Sequence, residues 1–382
     1  MGLVSFFTDV SSEMTLTVLP LFLANVLGVK TSIIGLIEGI AESTATLLKI
    51  FSGWFSDRLG KRKGLTVLGY GLSAFTKPLL YFANNWPFVL AIRFADRVGK
   101  GLRTAPRDAL VADSAGGNNL GRSFGFHRAM DTGGATLGVA LAAAIIYLSQ
   151  KSGLNLIRST YQHLVLVAMI PAFLAVAILG QFVQEVKRPV TTSAAVPSFS
   201  LEGLGPRFRI FLVIVVIFTL GNSSDAFLIL RAQNLGLSVL EIFVMLTMFN
   251  FLYALVSWPA GALSDRVGRR TLIVMGWSVY GLVYLGFAAT STAWQVWALY
   301  VIYGIYYGFF EGVGKALVAD VVPWTEQRGT AYGLYNGAVG LTTLPASFIA
   351  GVLWQAISPA APFVFGAGLA ILAAVLLMVW LG

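Results

Sequence analysis

Long apolar stretches follow one another along this chain with only short polar turns between them. Twelve can be drawn, at roughly residues 3–27, 32–56, 64–83, 87–114, 121–149, 160–183, 209–233, 238–262, 270–289, 294–322, 328–354 and 361–381. At about 1.5 Å per residue, each can cross a hydrocarbon core of about 30 Å as a helix. A strand reading fails, because the runs do not alternate and far exceed the ten or so residues that a membrane strand needs. The pattern predicts an all-α integral membrane protein with twelve transmembrane helices.

Composition agrees. The 382 residues are 57% hydrophobic and 11% charged, whereas soluble domains carry about 25% charge. The 41 glycines suit close helix packing in lipid. Cysteine is absent, which excludes disulfides, thiolate metal sites and cysteine nucleophiles. The two histidines, His127 and His163, are too few and too separated for a metal site. Gly99-Lys100-Gly101 lacks the spacing of a phosphate loop, so ATP-driven chemistry is not expected. No nucleophile–base pair stands out, so neither an enzyme nor any cofactor is expected. The first residues lack a basic segment and a small-residue cleavage site, so no cleavable signal peptide is expected.

The net charge of +9 raises the possibility of nucleic acid, but its placement argues against that partner. Arg58, Lys61, Arg62, Lys63, Arg122, Lys187, Arg188, Arg207, Arg209, Arg266, Arg269, Arg270 and Arg328 all fall in loops on one side. The other side holds Lys30, Lys151 and Arg158. The positive-inside rule puts the crowded side and both termini in the cytoplasm. The one long polar stretch, 185–208, reads as a cytoplasmic linker, with a short surface helix near 199–204. It separates two six-helix bundles, 1–184 and 209–382.

Internal repetition supports the two halves. Gly53, Asp57, Arg58 and Gly60, followed by Lys61-Arg62, return 208 residues later as Gly261, Asp265, Arg266 and Gly268, followed by Arg269-Arg270. Ser11-Ser12-Glu13 returns as Ser223-Ser224-Asp225, and Ala109 to Asp113 returns as Ala316 to Asp320. Gly125 and Gly333 match as well. A duplicated membrane unit explains these echoes.

The pattern G-x-x-x-D-R-x-G-[RK]-[RK] resembles the loop between helices 2 and 3 of major facilitator superfamily transporters, echoed between helices 8 and 9. The resemblance covers nearly the whole chain. It implies a bacterial-type inner-membrane transporter, a monomer whose partners are the lipid bilayer, a small-molecule substrate and protons. It also implies that Asp57 latches the outward-facing state by bonding the start of helix 11 and an arginine of helix 4, for which Arg107 is the candidate. Two features depart from family patterns. Arg93 to Gly101 keeps the arginine and two glycines of R-x-x-x-G-x-G but inserts Asp96 and Arg97. Gly133 to Gly138 lacks the proline of drug/proton antiporters.

Charges at membrane depth are costly and mark functional candidates. Asp9 and Glu13 share one face of the first segment. Arg93, Arg97, Lys100, Thr104 and Arg107 stay within about 40° of one line over roughly 21 Å, a basic stripe. Asp96, Arg128, Asp131, Asp225, Glu311 and Lys315 complete the set. The resemblance places helices 1, 4, 7 and 10 around a central cavity, so Asp9, Glu13, Arg93, Arg97, Lys100, Asp225, Glu311 and Lys315 are implied to line it. The plainer alternative is that Asp9 and Glu13 neutralise Arg93 and Arg97, and Arg128 pairs with Asp131, as bundle fasteners. The tyrosines and phenylalanines of 303–310 read mainly as packing.

Three transport readings stay open: proton-coupled movement of a small organic solute, a drug/proton antiporter, and a proton-independent anion exchanger or uniporter. The basic stripe leans toward an anionic group. Glu13 or Asp9 is the expected proton carrier, with Arg93 or Arg97 as its partner.

Overall fold

The computed structural model describes residues 1–59, 62–115, 120–151, 153–185, 204–267, 269–310, 317–318, 321–322 and 328–380. Within these, only backbone is described at 54, 57–59, 112–115, 120–122, 124–125, 257–267, 269, 308–310 and 328–330. Helix occupies each of the twelve expected stretches, and no strand occurs among the described residues. Among the described residues, eight helical spans are long and apolar enough to cross a membrane by length and composition. The expected surface helix near 199–204 lies almost wholly outside the described residues.

The helices are α1 (Gly2–Leu16), α2 (Thr31–Leu59), α3 (Arg62–Thr76), α4 (Trp86–Ala115), α5 (Leu120–Gln150), α6 (Arg158–Phe182), α7 (Gly205–Gly221), α8 (Ala226–Asn234), α9 (Val239–Val267), α10 (Arg269–Ala289), α11 (Ala293–Phe310), α12 (Arg328–Ala356) and α13 (Ala361–Trp380). Local chemistry sets many of the ends. Pro20 interrupts the first span, which continues through Leu19–Leu21 and a π-turn at Phe22–Val26. Pro78 coincides with tightening of α3 into a 3₁₀ segment, Lys77–Phe82. Ser238 and Glu241 form a reciprocal cap on α9: the Ser238 amide and hydroxyl donate to Glu241 Oε2 at 2.7 Å, and the Glu241 amide donates to Ser238 Oγ at 3.2 Å. The expected seventh segment is two helices, because α7 and α8 are separated by Asn222 to Asp225.

Two compact units result. The first is Met1–Val29, Ile40–Pro197 and Ser238–Thr247; the second is Lys30–Gly39, Ser198–Leu237 and Met248–Gly382. They differ from the expected halves by two helix ends. The start of α2 belongs to the second unit, where Thr31 Oγ1 donates to Gly351 O at 3.3 Å and Ser32 Oγ to Gln355 Oε1 at 2.9 Å. The start of α9 belongs to the first, where the Val239 amide donates to Gly153 O at 3.2 Å.

In the first unit α1 packs on α5 and α6, and α3 packs on α4. Gly69 and Gly99 bring α3 and α4 into backbone contact: a Cβ at Gly69 would stand 2.6 Å from Gly99 O. In the second unit α10 and α7 both pack on α13, and α7 also packs on α12.

Candidate functional site

The close approach of α3 and α4 builds a polar interior in the first unit. Arg93, Asp96 and Arg97 are all buried. Asp96 Oδ2 lies 3.9 Å from Arg93 Nη1 and 3.6 Å from Arg97 Nε. Arg97 Nη1 lies 3.3 Å from Glu42 Oε1 on α2. Arg103 donates to Ser73 Oγ at 2.6 Å and stacks its guanidinium 4.4 Å over the Tyr70 ring. The same Ser73 hydroxyl donates to Asp96 O at 3.1 Å. The expected basic stripe is therefore divided: Arg93 and Arg97 point into the bundle, whereas Lys100 is exposed.

Asp9 and Glu13 stand half-buried on α1. Neither forms an ion pair with Arg93 or Arg97; Asp96 and Glu42 occupy that place. Thr17 donates to Glu13.

Lys77 went unnoticed in the sequence because it sits inside the apolar run 64–83. It is 1% exposed. Its ammonium donates to Ser11 Oγ at 2.8 Å and Ser12 Oγ at 3.1 Å. The repeated Ser-Ser pair of α1 is thus a cradle for an amine.

A second cluster gathers on Ser5 of α1. Its hydroxyl lies 3.2 Å from Tyr70 Oη, 3.0 Å from His127 Nε2 and 3.4 Å from Arg107 Nη1. His127 Nδ1 is 3.5 Å from Asp131 Oδ2. Ser5 and Asp131 thus flank the two ring nitrogens of His127. Ser5 is 2% exposed and is already shared by an arginine and a tyrosine, an arrangement suited to tying α1, α3, α4 and α5 together. Asp131 therefore faces His127, while Arg128 is exposed on α5.

Of the expected latch, Arg107 is held by Asp108, with Nη2 and Nε 2.8 and 3.0 Å from Oδ1. Gly53 lets α4 approach α2: a Cβ there would meet Ala105 Cβ at 3.4 Å. Asp57 and Arg58 end α2, and Gly261, Asp265 and Arg266 end α9, with backbone alone described. Gly60, Gly268, Glu311 and Lys315 lie outside the described residues. Glu185, which the sequence offers only as the start of a linker, caps α3: its two carboxylate oxygens accept the Arg62 and Lys63 amides at 2.9 and 2.8 Å.

In the second unit the break between α7 and α8 presents Asp225, whose side chain is exposed. Tyr303 Oη donates to Asp225 Oδ1 at 2.8 Å, and Tyr307 Oη to Oδ2 at 3.3 Å. Tyr280 Oη donates to Asn222 Oδ1 at 3.1 Å. Arg231 bonds the Phe287 and Thr290 carbonyls at 3.1 and 2.8 Å and Asn234 Oδ1 at 2.9 Å, clamping α8 to the end of α10.

Apolar spanning helices with ionic interiors define a class: an all-α integral membrane protein that passes the bilayer many times. Comparison with known proteins fixes the family. The Major Facilitator Superfamily model matches residues 1–230 and again 210–382. An uncharacterized MFS-type transporter of Methanocaldococcus jannaschii is 38% identical over 384 aligned positions, covering 99% of this chain and 93% of that protein. The class C tetracycline resistance protein of Escherichia coli is 33% identical over 124 residues, 32% of this chain and 31% of its own. Among solved structures, the nucleoside transporter NupG matches with a TM-score of 0.81 at 14% identity, over 99% of this chain and 98% of its own. The human organic anion transporter MFSD10 matches at 0.67 and 17%, over 98% and 97%. The chain belongs to the Major Facilitator Superfamily and has its all-α membrane fold. The relative that covers nearly the whole chain is described as an MFS-type transporter.

Proposed function

We propose that this protein is a secondary active transporter that moves a small organic solute by alternating access and couples that movement to protons. One observation carries the reading: the acids of the first unit are divided by role. Asp96 and Glu42 are committed to arginines. Asp9 and Glu13 are half-buried and have no ion-pair partner among the described residues. Low-dielectric surroundings favour a neutral acid, and a basic neighbour favours the charged one. A group balanced between these tendencies changes charge when a substrate or a helix moves beside it. Protonation then biases the access equilibrium. Lys100, the exposed member of the basic stripe, is where an anionic group would be met in a solute that carries one.

A drug/proton antiporter is the second reading. The partial similarity to the tetracycline resistance protein favours it, while the missing proline in 133–138 does not. In either case the protein works as a monomer in a bacterial-type inner membrane with cytoplasmic termini, needing no cofactor, metal or nucleic acid.

The test is counterflow and proton uptake in liposomes containing the purified protein, with a panel of anionic, cationic and neutral solutes. Accumulation of a solute driven by an imposed pH gradient supports the reading. Counterflow that ignores the gradient would leave a uniporter or exchanger instead.

A further inference from the structure

The sequence offers an acid in the second unit, Asp225, and a run of aromatic residues that reads as packing. The structure brings the two together. Asp225 precedes α8 at the helix break, and its exposed carboxylate accepts one tyrosine hydroxyl on each oxygen, from Tyr303 and Tyr307 of α11. The four-residue spacing of these tyrosines puts both on one helix face.

The aromatic wall continues from there. The Tyr303 ring stacks on Tyr306 at 5.8 Å and meets Tyr307 edge-on at 5.0 Å. Tyr307 in turn meets Phe249 at 5.6 Å and Tyr253 at 6.1 Å, both from α9. Tyr306, Tyr307, Phe249 and Tyr253 are only half-buried, so this wall is not sealed core. Among the described residues Asp225 is the acid hydrogen-bonded to it.

An exposed carboxylate beside partly open aromatic rings is the chemistry that recognises an organic cation. The rings attract a cation through their electron-rich faces, and the carboxylate supplies a full opposite charge. Each tyrosine that donates its hydroxyl proton to Asp225 becomes more electron-rich, which strengthens its face as a cation partner. The two hydroxyls also hold the carboxylate in one orientation before any ligand arrives, lowering the ordering cost of binding.

We propose that Asp225, with Tyr303, Tyr306, Tyr307, Phe249 and Tyr253, forms a binding site for the protonated amine of an aromatic or aliphatic ammonium compound. This deepens the transport reading and rests on it for the consequence that such a compound is carried. The binding claim stands apart from it.

The experiment uses the full-length protein in lipid nanodiscs and three probes with one aromatic body and different charges: phenethylammonium, 2-phenylethanol and phenylacetate. Titration calorimetry reads the Kd of each. The expected order is ammonium tightest, with a gap of about ten-fold or more over the alcohol. Asp225→Asn closes that gap. Tyr307→Leu, at a half-buried position that tolerates change, weakens phenethylammonium about five-fold, while Tyr307→Phe, which keeps the ring, weakens it less than about three-fold. Equal binding of the three probes, a gap that survives Asp225→Asn, or a Tyr307→Leu variant that binds as well as the unaltered protein overturns the site. Counterflow separates the two claims. Binding without counterflow contradicts the transport reading alone. Gradient-driven uptake of another solute, with no preference for phenethylammonium, contradicts the ammonium site alone.

Discussion

Arg97 of α4 is held across the bundle by Glu42 of α2, Nη1 to Oε1 at 3.3 Å, while its Nε faces Asp96 on its own helix at 3.6 Å. One guanidinium therefore spans two carboxylates and fixes α2 against α4. The Arg97 side chain is 8% exposed and that of Glu42 is 38% exposed, so water screens part of the attraction.

Glu42→Gln should lower stability by about 1 kcal/mol after allowance for that screening. Arg97→Gln should cost more, since it leaves Asp96 with one basic contact fewer in a buried site. Thermal unfolding in detergent, read as a double-mutant cycle, checks the pair. Additive losses would mean that the two charges do not interact.

Ser11→Ala removes one of the two hydroxyls that hold the buried Lys77 ammonium. The expected loss is about 1–3 kcal/mol, because a buried charged donor is left short of a partner. Adding Lys77→Met to that variant should restore part of the loss, since donor and acceptor then vanish together. A Ser11→Ala protein as stable as the original would show that Ser11 does not hold the amine.

The helix pattern was legible because each apolar run contains its own instructions: a spanning helix satisfies its backbone within itself. The contact of Arg93 with Asp96 was also within reach, at three residues along one helix. Glu42 as the partner of Arg97 was not, because a bond between α2 and α4 depends on how closely those helices approach, which Gly101 of α4 sets against Ala45 and Leu48 of α2. Lys77 was hidden by its apolar neighbours. The break at Asn222 to Asp225 had a faint signal in Ser223-Ser224, whose side chains compete with helical bonding. The tie between Asp225 and Tyr303 had none, since an aromatic run looks the same whether it packs or binds.

Ser32 on α2 and Gln355 on α12 meet at 2.9 Å. Cysteines placed there stand in a chain that has none of its own. If this contact opens during the transport cycle, a short thiol bridge should stop counterflow, and reduction should restore it. Full counterflow with the bridge in place would show that the contact persists throughout the cycle.

Asp57→Asn should fold normally, transport more slowly and shift cysteine accessibility toward the inward-open state. Arg107 is engaged by Asp108, so Asp108→Asn should free it for Asp57 and shift accessibility the opposite way. Unchanged accessibility in both variants would reject the latch.

Proton coupling through α1 is the central claim, and substitution of its two acids in liposomes tests it most directly. Glu13→Gln and Asp9→Asn are made separately, and solute accumulation under an imposed pH gradient is measured beside gradient-free counterflow. The prediction is that at least one variant loses accumulation while keeping counterflow. Gradient-driven uptake at the original level in both would contradict it and move the carrier to Asp131 or Asp225.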